Sequence, residues 1–126
     1  MRAHLTQIVA PYVHKSRKPE VVADRIAAAL TEYPYPLCFF DYETFAPAIP
    51  AFDGFSPYQR IPYQFSLHIL REPGGELEHV EYLHEELSDP SAQVGELLSK
   101  HTAPGGSVVV WHAPFERGVN TEIAER

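Results

Sequence analysis

Cysteine is almost missing from this sequence: Cys38 stands alone among 126 residues. An intramolecular disulfide is thereby excluded, and so is a zinc site built on several thiolates. Long apolar runs are missing too. The longest, such as Leu37–Phe40 and Val108–Trp111, reach about five residues, against the ~20 needed to span a membrane. No basic start followed by an apolar block and a small-residue cleavage site is visible, so no secretory signal is expected and a reducing cytoplasm is the expected setting. Basic residues are scarce, with 10 Lys and Arg against 17 Asp and Glu for a net charge of −7. Such a balance argues against a protein that holds nucleic acid simply by coating its phosphates. Nucleophile elbows, P-loops and G-x-G-x-x-G turns have no match, which removes support for those ways of handling acyl groups and nucleotides.

What is present suits one compact domain. With 44% hydrophobic and 21% charged residues the chain lies near the globular average, far from the composition of disorder. Charge is unevenly spread. Residues 1–19 hold Arg2, Lys15, Arg17 and Lys18 and no acid, while the remainder holds 6 basic and 17 acidic groups, a net of −11. A basic solvated arm ahead of an acidic domain explains this. A cation-holding site would also concentrate carboxylates in the second part.

The hydrophobic pattern gives an order of elements. From Pro19, the residues Val22, Ile26, Ala29 and Leu30 recur at helical spacing until Pro34 and Pro36 end the helix. Leu37–Phe40 reads as a central strand buried on both faces and runs directly into Asp41-Tyr42-Glu43. Residues 44–61 show no period and carry Phe45, Phe52, Phe55 and Tyr58, as expected of an ordered, functional loop. Tyr63, Phe65, Leu67 and Ile69 alternate with Gln64, Ser66 and His68 in a half-buried strand, and Glu72-Pro73-Gly74-Gly75 turns it into a second extended run, Leu77–His84. Asp89-Pro90 caps a helix whose inward stripe is Val94, Leu97, Leu98 and His101. Ser107–Trp111 predicts a second continuous apolar strand, and Pro114 opens a helix with Val119 and Ile123 inward. Three antiparallel strands followed by a helical crossover place the last strand parallel to the first and beside it.

Three acids fall where that topology can use them. Asp41 and Glu43 are two residues apart, so on a strand they leave the same face about 7 Å apart along the chain. Two carboxylates so placed repel each other unless a cation is shared, and a pair of divalent ions ~3.5–4 Å apart would use both. The plainer explanation is a strand that has reached solvent. Glu116 lies in the first turn of the last helix, so strand neighbours would bring it to the same region. There it could equally serve the helix dipole or a capping box. His112 is the histidine placed near these acids, whereas His79 and His84 are five apart on an extended segment and point to opposite faces. Cys38 reads as inert packing.

Phe39-Phe40-Asp41-Tyr42-Glu43-Thr44-Phe45, the strand Ile61–His68, and Val110-Trp111-His112-Ala113-Pro114-Phe115-Glu116 together resemble the bacterial family catalogued as domain of unknown function 2779. More broadly they resemble the DEDD group of 3′–5′ exonucleases, over roughly Tyr35 to Arg126. In that group D-x-E ends the first strand, matched by Asp41 and Glu43. The second motif, N-x-x-F-D, would be His112-x-x-Phe115-Glu116, with histidine for asparagine and glutamate for aspartate.

The resemblance implies an α/β, ribonuclease H-like fold: three antiparallel strands plus a parallel fourth, with flanking helices, over residues 35–126. Residues 1–34 would be an arm with an N-terminal helix. It further implies metal-assisted phosphodiester hydrolysis in which Asp41, Glu43 and Glu116 hold two Mg²⁺ or Mn²⁺ ions. Thr44, Phe45, His112 and Phe115 would contact the substrate, a single-stranded 3′ end of DNA or RNA. The group's third motif, with its last aspartate and general base, has no counterpart before Arg126. The expectation is therefore a domain truncated at its C-terminus, partnered by upstream and downstream parts of a longer chain and inactive by itself, with no membrane partner. Alternatives are a catalytically inactive module of the same fold that binds nucleic acid or a protein partner, and a structural domain packing on an upstream nuclease core.

Overall fold

The computed structural model describes residues 22–102 and 105–126. The chain divides into two compact units, residues 1–32 and 33–126. In the first, helix α1 spans Ala23–Leu30 and follows Val22 as its N-cap. The expected start at Pro19 and the basic arm lie outside the described residues. Of the residues at helical spacing, Ile26 and Leu30 are exposed, and no residue of α1 is buried.

The second unit is built on one sheet. Strands β1 (Leu37–Phe45), β2 (Ile61–Leu70) and β3 (Leu77–Leu83) precede helix α2 (Ser91–Thr102), strand β4 (Ser107–Val109) and helix α3 (Ala113–Ala124). The strand order is β3-β2-β1-β4, with β1 antiparallel to β2, β2 antiparallel to β3, and β4 parallel to β1. This is the expected mixed sheet of three antiparallel strands and a parallel fourth. Parallel neighbours need a crossover, and α2 supplies it.

The core lies on one face of the sheet. Cys38, Phe40 and Tyr42 of β1 meet Phe65, Leu67 and Ile69 of β2, Val94 of α2 and Val119 of α3. Leu97, Leu98 and Ile123 pack against this cluster as the helical spacing predicts. Asp89 anchors α2, its Oδ1 accepting from the Ser91 amide at 3.0 Å and the Ser91 hydroxyl at 2.6 Å.

Two strands differ from expectation. Beyond Leu37, β1 is buried on one face only, since Phe39, Asp41 and Glu43 are exposed while Cys38, Phe40 and Tyr42 are buried. A short apolar run cannot distinguish double burial from an exposed phenylalanine on an alternating strand. β4 has three residues rather than five, pairs only with Leu37–Phe39 of β1, and ends before Trp111, which is 99% exposed. Its length is limited on both sides. Gly106 enters it at φ +90°, where a side chain would collide with the carbonyl of Pro36, and the helix that holds Pro114 begins four residues after Val109.

The long loop, residues 46–60, is packed rather than loose. The Tyr58 amide donates to the Pro47 carbonyl at 2.8 Å, and Phe52 and Phe55 meet edge to face at 5.5 Å. Arg60 bonds Glu122 of α3, and the Arg126 guanidinium lies 3.9 Å from the centre of the Phe55 ring.

Candidate functional site

Alternation along β1 sets the first part of the site. Asp41 and Glu43 share the exposed face, opposite Ser66 and Gln64 of β2, as their two-residue spacing requires. A register shift follows between Glu43 and Thr44. Tyr42, between the two acids, points into the core, and its hydroxyl donates to Asn120 Oδ1 of α3 at 2.7 Å. That bond ties α3 to the strand carrying Asp41.

Glu116 supplies the second part. It falls on the stripe with Val119, Asn120 and Ile123, three, four and seven residues apart and so on one side of the helix. The side chain is accordingly drawn inward and is 4% exposed. Its Oε2 is buried with no hydrogen-bond partner. Burial first, and the charge of Asp41 second, raise the Glu116 carboxyl above its ordinary range. Tyr42 is also raised, by burial and then by the charge of Glu116. Asp41, Tyr42 and Glu116 thus share one electrostatic neighbourhood. Glu43 does not figure among the causes acting on Glu116. No group of three or more His, Cys, Asp or Glu among the described residues is arranged to hold a metal ion.

The capping-box reading of Glu116 is not what the helix uses. His112 is the N-cap and receives no side-chain cap bond; the Glu116 amide instead donates to the His112 carbonyl at 3.3 Å. The other expected contact residues are dispersed. His112 is exposed at the start of α3, and Thr44 is half-buried. Phe45 packs near Tyr63, 6.1 Å between ring centres, and lines a cleft with Phe52, Ile61 and His84. Phe115 packs against the core with the Arg60 guanidinium 5.3 Å from its ring centre.

Sequence reasoning missed the residues that do surround Asp41. A cleft of about 410 Å³ is lined by Phe39, Asp41, Ser66, His68, Val109 and Trp111 among others. The available signal was register: Phe39 lies opposite both His68 and Val109 once β1 sits between β2 and β4.

The family model described as Domain of unknown function (DUF2779) matches residues 38–126, well over half of the chain. The chain belongs to the DUF2779 family. No curated protein and no solved structure matches it. The matched span of this DUF2779 domain contains β1 from its second residue, both acids of the D-x-E pair and Glu116.

Oxygen donors of this kind suit hard divalent ions, Mg²⁺ or Mn²⁺, rather than zinc. The buried Glu116 Oε2 without a partner would fit such an ion, because an unpaired buried carboxylate is costly until something neutralises it. Asp41 and Glu43 lie on the exposed face of β1, whereas Glu116 is buried on the helix stripe that carries Val119.

Proposed function

We propose that this DUF2779 domain is a divalent-metal-dependent nuclease module, hydrolysing phosphodiester bonds of DNA or RNA as a 3′–5′ exonuclease in the intact protein. The observation that carries this reading is the buried Glu116 carboxylate, unpartnered at Oε2 and electrostatically coupled to Asp41. Support also comes from the strand order, which makes β1 and β4 neighbours and so sets the segment between β4 and α3 beside the D-x-E strand.

In this reading Asp41 and Glu116 hold Mg²⁺ or Mn²⁺, and Glu43 accepts from water or substrate on the exposed face. When bound, the metal supplies Lewis-acid stabilisation of charge on the phosphate and a more acidic water. Tyr42 positions: its bond to Asn120 keeps α3 against β1, so the two carboxylates keep their spacing. A second reading, a module of the same fold that binds nucleic acid or a protein partner without hydrolysis, is favoured by the exposed aromatic residues beside Asp41.

The metal reading is tested by titrating Mn²⁺ into the protein in a calorimeter. Weak but saturable binding is expected, and Asp41→Ala is expected to abolish it. Because Asp41 is exposed, that variant keeps its fold, which circular dichroism checks. Identical Mn²⁺ behaviour in the two proteins overturns the reading.

A further inference from the structure

The cleft shared by Phe45, Phe52 and His84 encloses about 520 Å³ where the end of β1, the 46–60 loop and the connection from β3 to α2 meet. Its walls are aromatic. Phe45, Phe52 and Tyr63 line it, and the rings of Phe45 and Tyr63, 6.1 Å apart, are tilted by 58° and so present faces in two directions. The one carboxylate in the lining is Glu86, and no Lys or Arg joins it. His84 fixes the segment that carries this acid. Its Nε2 donates to the Ser88 carbonyl at 2.9 Å, closing residues 84–88 into a loop, and its Nδ1 is bonded to the Tyr82 hydroxyl at 2.8 Å. Next to Glu86, Leu87 is wholly exposed. Nearby rings show what such faces hold: Arg126 lies 3.9 Å from the centre of Phe55, and Arg60 5.3 Å from that of Phe115. Among the described residues, no Lys or Arg lies over Phe45, Phe52 or Tyr63.

We propose that this cleft seats a lysine side chain from an extended segment of a partner protein. Ring faces attract a cation, more strongly where water is excluded, and Glu86 supplies the opposite charge. The four-carbon stem of lysine is apolar and suits the exposed Leu87. A compact ammonium can use rings tilted against each other, whereas a planar guanidinium stacks on a single face, as Arg126 does on Phe55. A neutral apolar side chain would gain the rings but nothing from Glu86. The wider field agrees: residues 33–126 hold 5 basic and 14 acidic groups, a net of −9, so a basic segment is drawn toward this unit. Neither Asp41 nor Glu116 lines the cleft, and the seat does not depend on their reading as a cation site.

The test is an amide-shift titration of the full chain, labelled with ¹⁵N, at about 0.15 M salt to screen distant charges. One capped peptide carries a single lysine among glycines and serines; a second carries norleucine in its place. Saturable shifts at the amides of Phe45, Phe52, Tyr63 and Glu86 are expected with the lysine peptide and none with the norleucine one. Phe45→Leu keeps an apolar side chain but removes a ring face, and is expected to weaken binding about 2- to 30-fold; Glu86→Gln is expected to weaken it as well. Both positions are exposed, so the variants keep their fold, which circular dichroism checks. Affinity unchanged by Phe45→Leu overturns the seat, since net charge alone then draws the peptide. Equal binding of the norleucine peptide overturns it in favour of a plain apolar groove, and no binding of the lysine peptide overturns it outright. A single-stranded deoxyadenosine oligomer that displaces the lysine peptide from these amides also overturns it, assigning the cleft to nucleic acid.

Discussion

At pH 7 and without divalent metal, Glu116→Gln is expected to be more stable than the parent protein, because the amide cannot carry the charge that burial and Asp41 disfavour. The pH dependence identifies the cause. Burial and Asp41 raise the folded-state value of Glu116 above the ordinary 4.5, so the native state binds the proton more tightly than the unfolded chain does. The stability linked to that proton is fully present below about pH 4.5 and is lost as pH rises through the raised folded value. The amide variant has no such loss. Denaturant titrations of the two proteins should therefore converge in acid and separate toward neutrality. Mn²⁺ should reverse the order at pH 7, stabilising the parent while leaving the variant unmoved. A difference that is constant with pH, or a variant weaker than the parent in metal-free buffer, contradicts this account of Glu116.

Phe65→Ala is expected to have the largest effect on the fold. Phe65 is 1% exposed, lies opposite Tyr42 in the sheet, and meets the rings of Phe40 at 6.0 Å and Tyr82 at 5.8 Å. Emptying that volume costs about 3–5 kcal/mol, a large part of the ~5–15 kcal/mol that holds a typical domain together. The midpoint of urea unfolding should fall sharply with an unchanged slope. Phe39→Ala, on the opposite face of the same sheet, should shift the midpoint less, because Phe39 is 40% exposed and gives up less buried area. Equal losses for the two would place the core on the wrong side of β1.

The contrast between these phenylalanines shows what the sequence made legible. Alternation in Tyr63–Ile69, the turn at Pro73-Gly74-Gly75, and the caps at Asp89 and Pro114 are local signals, and the strand order followed from them with one crossover. Asp41 and Glu43 on one face needed only the period of a strand. The burial of Glu116 was available from its spacing to Val119 and Ile123, yet its polarity disguised it as a surface residue of the first helical turn. Phe39 and Trp111 misled for the opposite reason. Both sit in apolar runs, and hydropathy does not report whether a neighbouring element covers a face or whether an edge strand has ended. Exposure of that kind is decided by the assembled sheet, as is the separation of Phe45 and Phe115 from Asp41: one joins the Phe52 and Tyr63 cleft, the other lies under Arg60.

Helix α3 has one more consequence. Its twelve residues form a rod about 18 Å long, gripped in its second half by the Tyr42–Asn120 bond and by Arg60 on Glu122. A rod cannot tilt at one end alone. Arg60 also donates to the Phe115 carbonyl at 3.5 Å, so a displacement of Glu116 pulls on its neighbour and, through that one guanidinium, on the end of residues 46–60.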